Sequence, residues 1–160
     1  MLEFDEKGNL IPHNHHIEIS YDVFVKNFVK NFPIESTRHQ ILTDFERFLE
    51  EFCSKIYSHF NIWINGSFVT QKVNPNDIDC LIFIKYDWLK VNEKTLSNFK
   101  TTIKQDYKNL DVYFLIEYPE NHEHRILTDT DIFYWRDWFS KTRKNHSGKS
   151  FQKGFIELKI

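Results

Sequence analysis

The chain has 160 residues, the length of one domain and too short for two domains with good cores, and it carries 21 Lys and Arg against 23 Asp and Glu. The formal net charge of -2 lacks the positive excess of a nucleic-acid coat, although a local basic patch stays compatible with it. No apolar run approaches the roughly 18 residues of a membrane-spanning helix, and two cysteines without CxxC spacing or a preceding signal peptide indicate the reducing cytoplasm.

The first third of the chain predicts an extended arm and two helices. Residues 1–19 contain a turn signal at Gly8 and a proline that blocks helix, so we expect an arm that drapes over the domain. From the N-cap Ser20, Phe and Val recur at helical spacing until Pro33. Thr37 opens a capping box and a long amphipathic helix to Ile56. With 16 phenylalanines in the chain, we expect a core packed with rings.

The middle of the chain predicts strands separated by a polar helix. Residues 61–64 are typical of a short buried strand, which Gly66-Ser67 ends before a turn or helix. Residues 77–84 run from alternating to wholly apolar, which predicts a central strand. A polar helix at residues 87–108 and a strand at residues 111–116 follow, and the inward positions of the helix are Leu96, Phe99 and Ile103.

The last part of the chain is rich in aromatic and polar residues. A loop at residues 119–124 precedes a short aromatic helix at residues 131–139. A polar loop at residues 142–150 then leads to a final strand at residues 155–160.

Two short motifs in the middle of the chain supply what nucleotidyl transfer requires. The reaction needs carboxylates that hold divalent metals against a triphosphate, and donors that contact the phosphates. On a strand, Asp77 and Asp79 project from the same face. Gly66 lets the backbone approach a phosphate, and Ser67 adds a hydroxyl and an N–H. Asp111 opens the next strand after a helical crossover, so we expect it to add a third carboxylate.

A bacterial nucleotidyltransferase-like family has members that read W-I-x-G-S-F-V-T-x-K-x-x-P-x-D-I-D. The chain resembles it through residues 63–70, Lys72, Pro75 and residues 77–79. The family's entry segment is similar to residues 8–12, its helix start to Thr37-Arg38, and its third-aspartate strand to residues 111–114. Its C-terminal segments are similar to Tyr134-Trp135, Arg143 and residues 153–157. Essentially the whole chain is covered. The departures are Cys80, where Val is more frequent, and Asn65, where Asp is frequent.

The resemblance implies a fold and a site within the polymerase-β-like nucleotidyltransferase superfamily. We expect one α/β (mixed α+β) nucleotidyltransferase domain over residues 1–160, with a small twisted mixed sheet flanked by helices. The arm is residues 1–19, and the C-terminal loop and strand are residues 142–160. Some relatives in the superfamily act in toxin–antitoxin and phage-defence systems.

The implied activity is transfer of a nucleoside monophosphate from an NTP to an unknown acceptor: a protein, an RNA or a small molecule. The cofactor would be Mg²⁺ or Mn²⁺. The catalytic and metal-binding residues would be Asp77, Asp79 and Asp111, and the nucleotide would be held by Gly66, Ser67 and Lys72.

A second hypothesis is a catalytically weak or inactive nucleotidyltransferase-like protein of the antitoxin type, with a regulatory function. It would bind a partner protein encoded nearby, and it is motivated by a chain too short to include a separate helical domain for an acceptor. Nucleic-acid binding is a third hypothesis, which the net charge disfavours, and we expect no membrane partner.

Other polar and aromatic residues have a structural interpretation that competes with a functional one. The histidine groups at residues 13–16 and 122–124 lack a second ligand pair at zinc spacing. Trp135, Trp138 and Phe139 lie at helical spacing, which favours a core over a base-stacking surface. Four cations around Gly148 are interpreted as solubilising the loop rather than closing over a nucleotide: Arg143, Lys144, Lys149 and Lys153.

Overall fold

The chain folds into a mixed α+β structure in the computed structural model, which describes residues 2–160 apart from the side chain of Lys104. The strands are β1 (Glu3–Phe4), β2 (Leu10–Ile11), β3 (His16–Glu18), β4 (Asn61–Asn65), β5 (Ile78–Lys85), β6 (Leu110–Glu117) and β7 (Phe155–Lys159). The helices are α1 (Tyr21–Val25), α2 (Thr37–Lys55), α3 (Tyr86–Asp106) and α4 (Arg125–Phe139).

Five strands form one mixed sheet in the order β3-β7-β4-β5-β6. Strands β5 and β6 are parallel because α3 crosses over between them, whereas β4 is antiparallel to both β5 and β7. Strand β3 is parallel to β7, and β1 and β2 form a separate hairpin. The predicted mixed α+β class with a small mixed sheet is thus confirmed.

The two faces of the sheet pack against different helices. On one face, α1, α2 and α3 bury a ring-rich core with the even-numbered residues of β5, as the phenylalanine content predicts. The predicted inward positions of α3, Leu96, Phe99 and Ile103, are all buried there. On the other face, Phe139 of α4 packs with Trp63, Leu81, Phe83, Leu115 and Phe155. The candidate site lies at one end of this second face.

The N-terminal arm is part of the sheet structure instead of only draping over the domain. It is extended, as predicted, but β3 adds to the edge of the main sheet beside β7. The Gly154 N–H also donates to the Leu10 carbonyl at 2.7 Å. The two-residue and three-residue strands of the arm are too short for a hydrophobic alternation to predict their pairing.

Two helix starts differ from the predictions. The N-cap of α2 is Ser36 rather than Thr37, since Ser36 Oγ accepts from the Arg38 N–H at 3.2 Å. Helix α4 begins at Arg125, before the predicted residue 131. Ile126 and Leu127 of its first turn are exposed, so they give no core-facing periodicity.

Helix α1 and helix α3 both contain a local irregularity. Helix α1 continues after Val25 as a π-helical turn at Lys26–Lys30, although its Ser20 N-cap is confirmed. Helix α3 is kinked at Asn92, whose φ and ψ are not helical. None of the helices within residues 2–160 is long and apolar enough to cross a membrane.

Candidate functional site

The ends of four strands meet at one edge of the sheet. Because β4 runs antiparallel to β5 and β7, its C-terminal end lies beside their N-terminal ends, and the parallel β6 starts there too. This topology brings Gly66, Asp79, Asp111 and Lys153 to one edge although they are far apart in the chain. Gly66, Asp79 and Lys153 line a pocket of about 380 Å³ at this edge.

The three predicted carboxylates lie at this edge, in different settings. Asp79 on β5 is the register partner of Asp111 on β6, so their side chains point from the same face of neighbouring strands. Asp77 lies just before β5 and lines the pocket together with Asp79. Asp111 is 48% exposed and stands outside the pocket lining. The structure therefore brings together all three aspartates, with Asp79 as the most enclosed.

One arginine connects two of the carboxylates. Arg143 Nη2 lies 3.8 Å from Asp79 Oδ1 and 4.0 Å from Asp111 Oδ2. The Arg143 side chain is 82% exposed, so these are loose contacts rather than tight ion pairs. The interpretation that Arg143 only solubilises the loop is therefore incomplete.

Burial and negative charge together raise the pKa of Asp79 to about 6. Loss of solvent is the largest cause, the charge of Asp77 adds to it, and Arg143 and Lys153 oppose it. A bound cation would favour the ionised form of Asp79 and so relieve this unfavourable setting.

The backbone at Gly66 would be strained by any other residue. Its φ of +79° lies in the left-handed region, and a Cβ at this position would stand 2.0 Å from Asp79 Oδ2. Gly66 therefore lets the Asp79 carboxylate lie directly against the backbone that turns from β4 into the Ser67–Val69 3-10 turn.

Residues 67–72 form a loop whose shape is fixed by a buried arginine. The Arg38 side chain is fully buried, and its guanidinium donates to the carbonyls of Phe28, Ser67, Phe68, Thr70 and Lys72. The Phe32 ring lies 3.9 Å from its central carbon. Burial lowers the pKa of Arg38 to about 10, so it stays charged at neutral pH. Arg38 thereby holds the loop that carries Ser67 and Lys72 into the pocket lining.

The two lysines of the pocket differ in their environment. Lys72, the lysine that the sequence predicts, lines the pocket with an exposed side chain. Lys153 also lines it but is only 3% exposed, and its Nζ donates to the Gly66 carbonyl at 3.0 Å. The interpretation of Lys153 as a solvated loop residue is therefore wrong, whereas Lys144 and Lys149 are exposed as expected.

The aromatic residues of α4 divide between core and pocket. Phe139 is buried in the core of the second sheet face, and Trp135 packs against that core. Trp138 is 45% exposed and lines the pocket, stacked on Trp135 at 5.0 Å between ring centroids. The core interpretation thus holds for two of the three rings.

The chain also matches a known protein family. The chain belongs to DUF6932. The model of this family, described as a family of unknown function, matches residues 2–159. No curated protein and no solved structure gives a significant match. The DUF6932 description assigns no activity, so the function has to be inferred from the site.

The donor atoms of this DUF6932 site suit a hard divalent cation. Asp77, Asp79 and Asp111 offer the carboxylate oxygens that Mg²⁺ prefers, and Asn65 Oδ1 is buried without a hydrogen-bond partner in residues 2–160. Although these donor types suit Mg²⁺, no group of three or more His, Cys, Asp or Glu side chains within residues 2–160 is arranged so that it could hold a metal ion. A cation at Asp79 would compete with Arg143.

The sequence analysis named Arg38 and Lys153 but assigned neither of them to the site, for different reasons. Arg38 stands at a helix start, where only its similarity to a family motif singled it out. Lys153 sits in a polar segment among other cations, and its burial depends on the distant Gly66 and on the N-terminal arm, where Asn14 N–H donates to the Lys153 carbonyl.

Proposed function

We propose that this DUF6932 protein is a Mg²⁺- or Mn²⁺-dependent nucleotidyltransferase with a polymerase-β-like domain, which moves a nucleoside monophosphate from an NTP to an acceptor hydroxyl. The observation that carries the proposal is the meeting of Asp77, Asp79 and Asp111 with Gly66-Ser67 at one sheet edge, where all of them except Asp111 line one pocket. A strand end that only needs solvation does not require a glycine fitted against a partly buried carboxylate.

Each residue of the site has a role in the proposed reaction. Asp77 and Asp79 would hold the divalent cation, and Asp111 would share it. When bound, the cation neutralises triphosphate charge. The turn after Gly66 allows close approach of the phosphates, and the Ser67 hydroxyl donates to them.

The proposed transfer forms one bond and breaks one. The acceptor oxygen bonds to the α-phosphorus, and the bond from that phosphorus to the oxygen bridging to the β-phosphate breaks. The hydroxyl proton passes to the Asp111 carboxylate, which its 48% exposure leaves open to an incoming acceptor. Pyrophosphate leaves.

Calorimetry with Mg²⁺ and NTP tests the proposal. We expect the wild type to bind Mg²⁺-NTP and the Asp77→Ala/Asp79→Ala variant to bind at least about tenfold more weakly, because the cation-binding oxygens are lost. Asp129→Ala/Asp131→Ala, two carboxylates on α4 outside the pocket lining, is the matched control. The same absence of binding in wild type and variant would contradict enzymatic function.

A regulatory protein of the antitoxin type is the second candidate, and one observation favours it. Helix α4 exposes a row of large apolar side chains: Ile126, Leu127, Phe133, Tyr134 and Trp138. Apolar surface of this kind is typical of contact with another macromolecule. A stable complex with a co-purified partner that survives replacement of Asp77 and Asp79 would favour this candidate, and a complex abolished by those changes would count against it.

A further inference from the structure

The ammonium group of Lys153 is buried and has more N–H donors than hydrogen-bond acceptors around it. It lies in the segment before β7, is 3% exposed, and lines the pocket. Of its three N–H donors, one is directed to the Gly66 carbonyl at 3.0 Å, and no other hydrogen bond of Nζ to residues 2–160 is found. A buried charge without full partners is costly in free energy, so a ligand that supplies acceptors would be stabilised there.

The chemistry around Lys153 selects a multiply charged oxyanion. Its Nζ stands beside the turn from β4 into Gly66-Ser67, and Arg143 faces the same pocket. Burial lowers the pKa of Lys153 to about 8, with Arg143 lowering it further and Asp79 opposing. Two cations that repel each other across one pocket are matched by a ligand with several anionic oxygens.

When a cation is bound, the carboxylates of the site do not cancel the preference of the pocket for an oxyanion. The pocket lining carries four cations, Lys72, Lys141, Arg143 and Lys153, against Asp77 and Asp79, and Asp111 lies beside it, so the net charge of these groups is +1. One divalent cation at the carboxylates makes this net charge more positive. A phosphate chain then satisfies both halves of the pocket, since it binds the cation and the ammonium group together.

We propose that Lys153, rather than the exposed Lys72, is the principal lysine that binds the β- and γ-phosphates of the nucleotide, with Arg143 as its partner. This assignment rests on the proposed function, because it places the phosphate chain in the nucleotide pocket. The assignment also gives the Lys153–Gly66 hydrogen bond a role, since this bond holds the ammonium group next to the turn that the phosphates approach.

Binding of tripolyphosphate in the presence of Mg²⁺, measured by calorimetry, tests the assignment. We expect Lys153→Met to weaken binding at least tenfold, Lys72→Met to weaken it less, and Arg143→Gln to weaken it by an intermediate factor. Lys149→Met is the matched control, because Lys149 is an exposed cation of the same C-terminal segment outside the pocket lining, and its affinity should be unchanged. A smaller effect for Lys153→Met than for Lys72→Met would overturn the assignment.

Thermal unfolding of each variant separates a binding role from a folding role. If Lys153→Met unfolds at the assay temperature, Lys153→Arg keeps the charge, and the assignment requires it to retain binding that Lys153→Gln loses in the folded fraction. Failure of the wild type to bind tripolyphosphate overturns the inference.

Failure of the proposed function gives a different pattern. Wild-type binding that depends on Lys153, without transfer from any NTP, would support the phosphate site and contradict the enzyme. Mg²⁺-NTP binding and transfer that do not depend on Lys153 would contradict the inference alone.

Discussion

Asp79 is held in an ionised state that the surrounding fold disfavours. Its pKa is about 6 in the folded protein, against 3.8 for the free side chain, so the folded state binds the proton more tightly than the unfolded state does. The stability contributed by this group is therefore fully present below about pH 4 and falls as the pH rises through about 6. The candidate site lowers the stability of the ligand-free protein at neutral pH.

We predict that Asp79→Asn stabilises the ligand-free protein at pH 7.5. The gain in the free energy of unfolding should be about 2–3 kcal/mol, the free-energy equivalent of the pKa shift. It should vanish near pH 4, where the wild-type carboxyl is protonated. Urea unfolding in the presence of a chelator measures both values.

Magnesium provides the complementary measurement on the same variant. Added Mg²⁺ should raise the stability of the wild type more than that of Asp79→Asn, because the variant keeps only Asp77 and Asp111 of the three charged ligands. A variant that is less stable than the wild type at pH 7.5 without metal would contradict this electrostatic account of Asp79.

Arg38 is predicted to be among the residues most important for stability. Arg38→Leu removes a buried guanidinium that five carbonyls share, so we expect a loss of about 3–5 kcal/mol in the free energy of unfolding. Arg38→Lys keeps the charge but not the planar fork of donors, and it should be only partly destabilising. Hydrogen exchange should show faster exchange in residues 67–72 for both.

A second arginine serves as the control for this prediction. Arg47 on α2 is mostly exposed and donates to the carbonyl of Asp106, so Arg47→Leu should cost less than about 1 kcal/mol. Equal losses for Arg38→Leu and Arg47→Leu would show that the buried contacts of Arg38 do not hold the loop.

At the scale of elements, the start of α2 depends on one hydroxyl. Ser36 Oγ accepts from the Arg38 N–H and donates to the Val73 carbonyl, so it both caps the helix and ties it to the loop before Pro75. We predict that Ser36→Ala lowers the free energy of unfolding by about 1–2 kcal/mol. Chemical denaturation measures this loss.

The same helix offers a matched control. Thr43 on α2 is exposed and bonds only the carbonyl one turn earlier, at His39, so Thr43→Ala should be nearly neutral. A loss with Thr43→Ala as large as that with Ser36→Ala would contradict the assignment of Ser36 as N-cap.

Elements with strong periodicity could be predicted from sequence, and those without it could not. Apolar residues at helical or strand spacing predict helix α2 and the buried strands β4 and β5. Helix α4 is different, because Phe133 and Tyr134 are exposed and hide the periodicity of its core-facing side. Strand β3 pairs with a strand near the other end of the chain, which no local pattern encodes.

At the scale of the molecule, the sheet order decides which predicted site residues meet. Gly66, Asp77 and Asp79 are close in sequence, so their shared position could be predicted from local spacing. The proximity of Asp111 to Asp79 could be predicted once the helix between their strands was interpreted as a crossover between parallel strands. The position of Lys153 in the site depends on the antiparallel pairing of β4 with β7. This long-range contact, which fixes the basic side of the pocket, could not be predicted from local spacing.

The most direct test of nucleotidyl transfer follows the two ends of ATP separately. The protein is incubated with Mg²⁺, a cell extract as the source of acceptors, and ATP labelled at either the α- or the γ-phosphate. We predict that the α-label becomes attached to an acceptor while the γ-label is released in pyrophosphate, and that Asp77→Ala/Asp79→Ala gives no transfer. Acceptor labelling from the γ-phosphate, or no labelling beyond that of the variant, would contradict nucleotidyl transfer by this site.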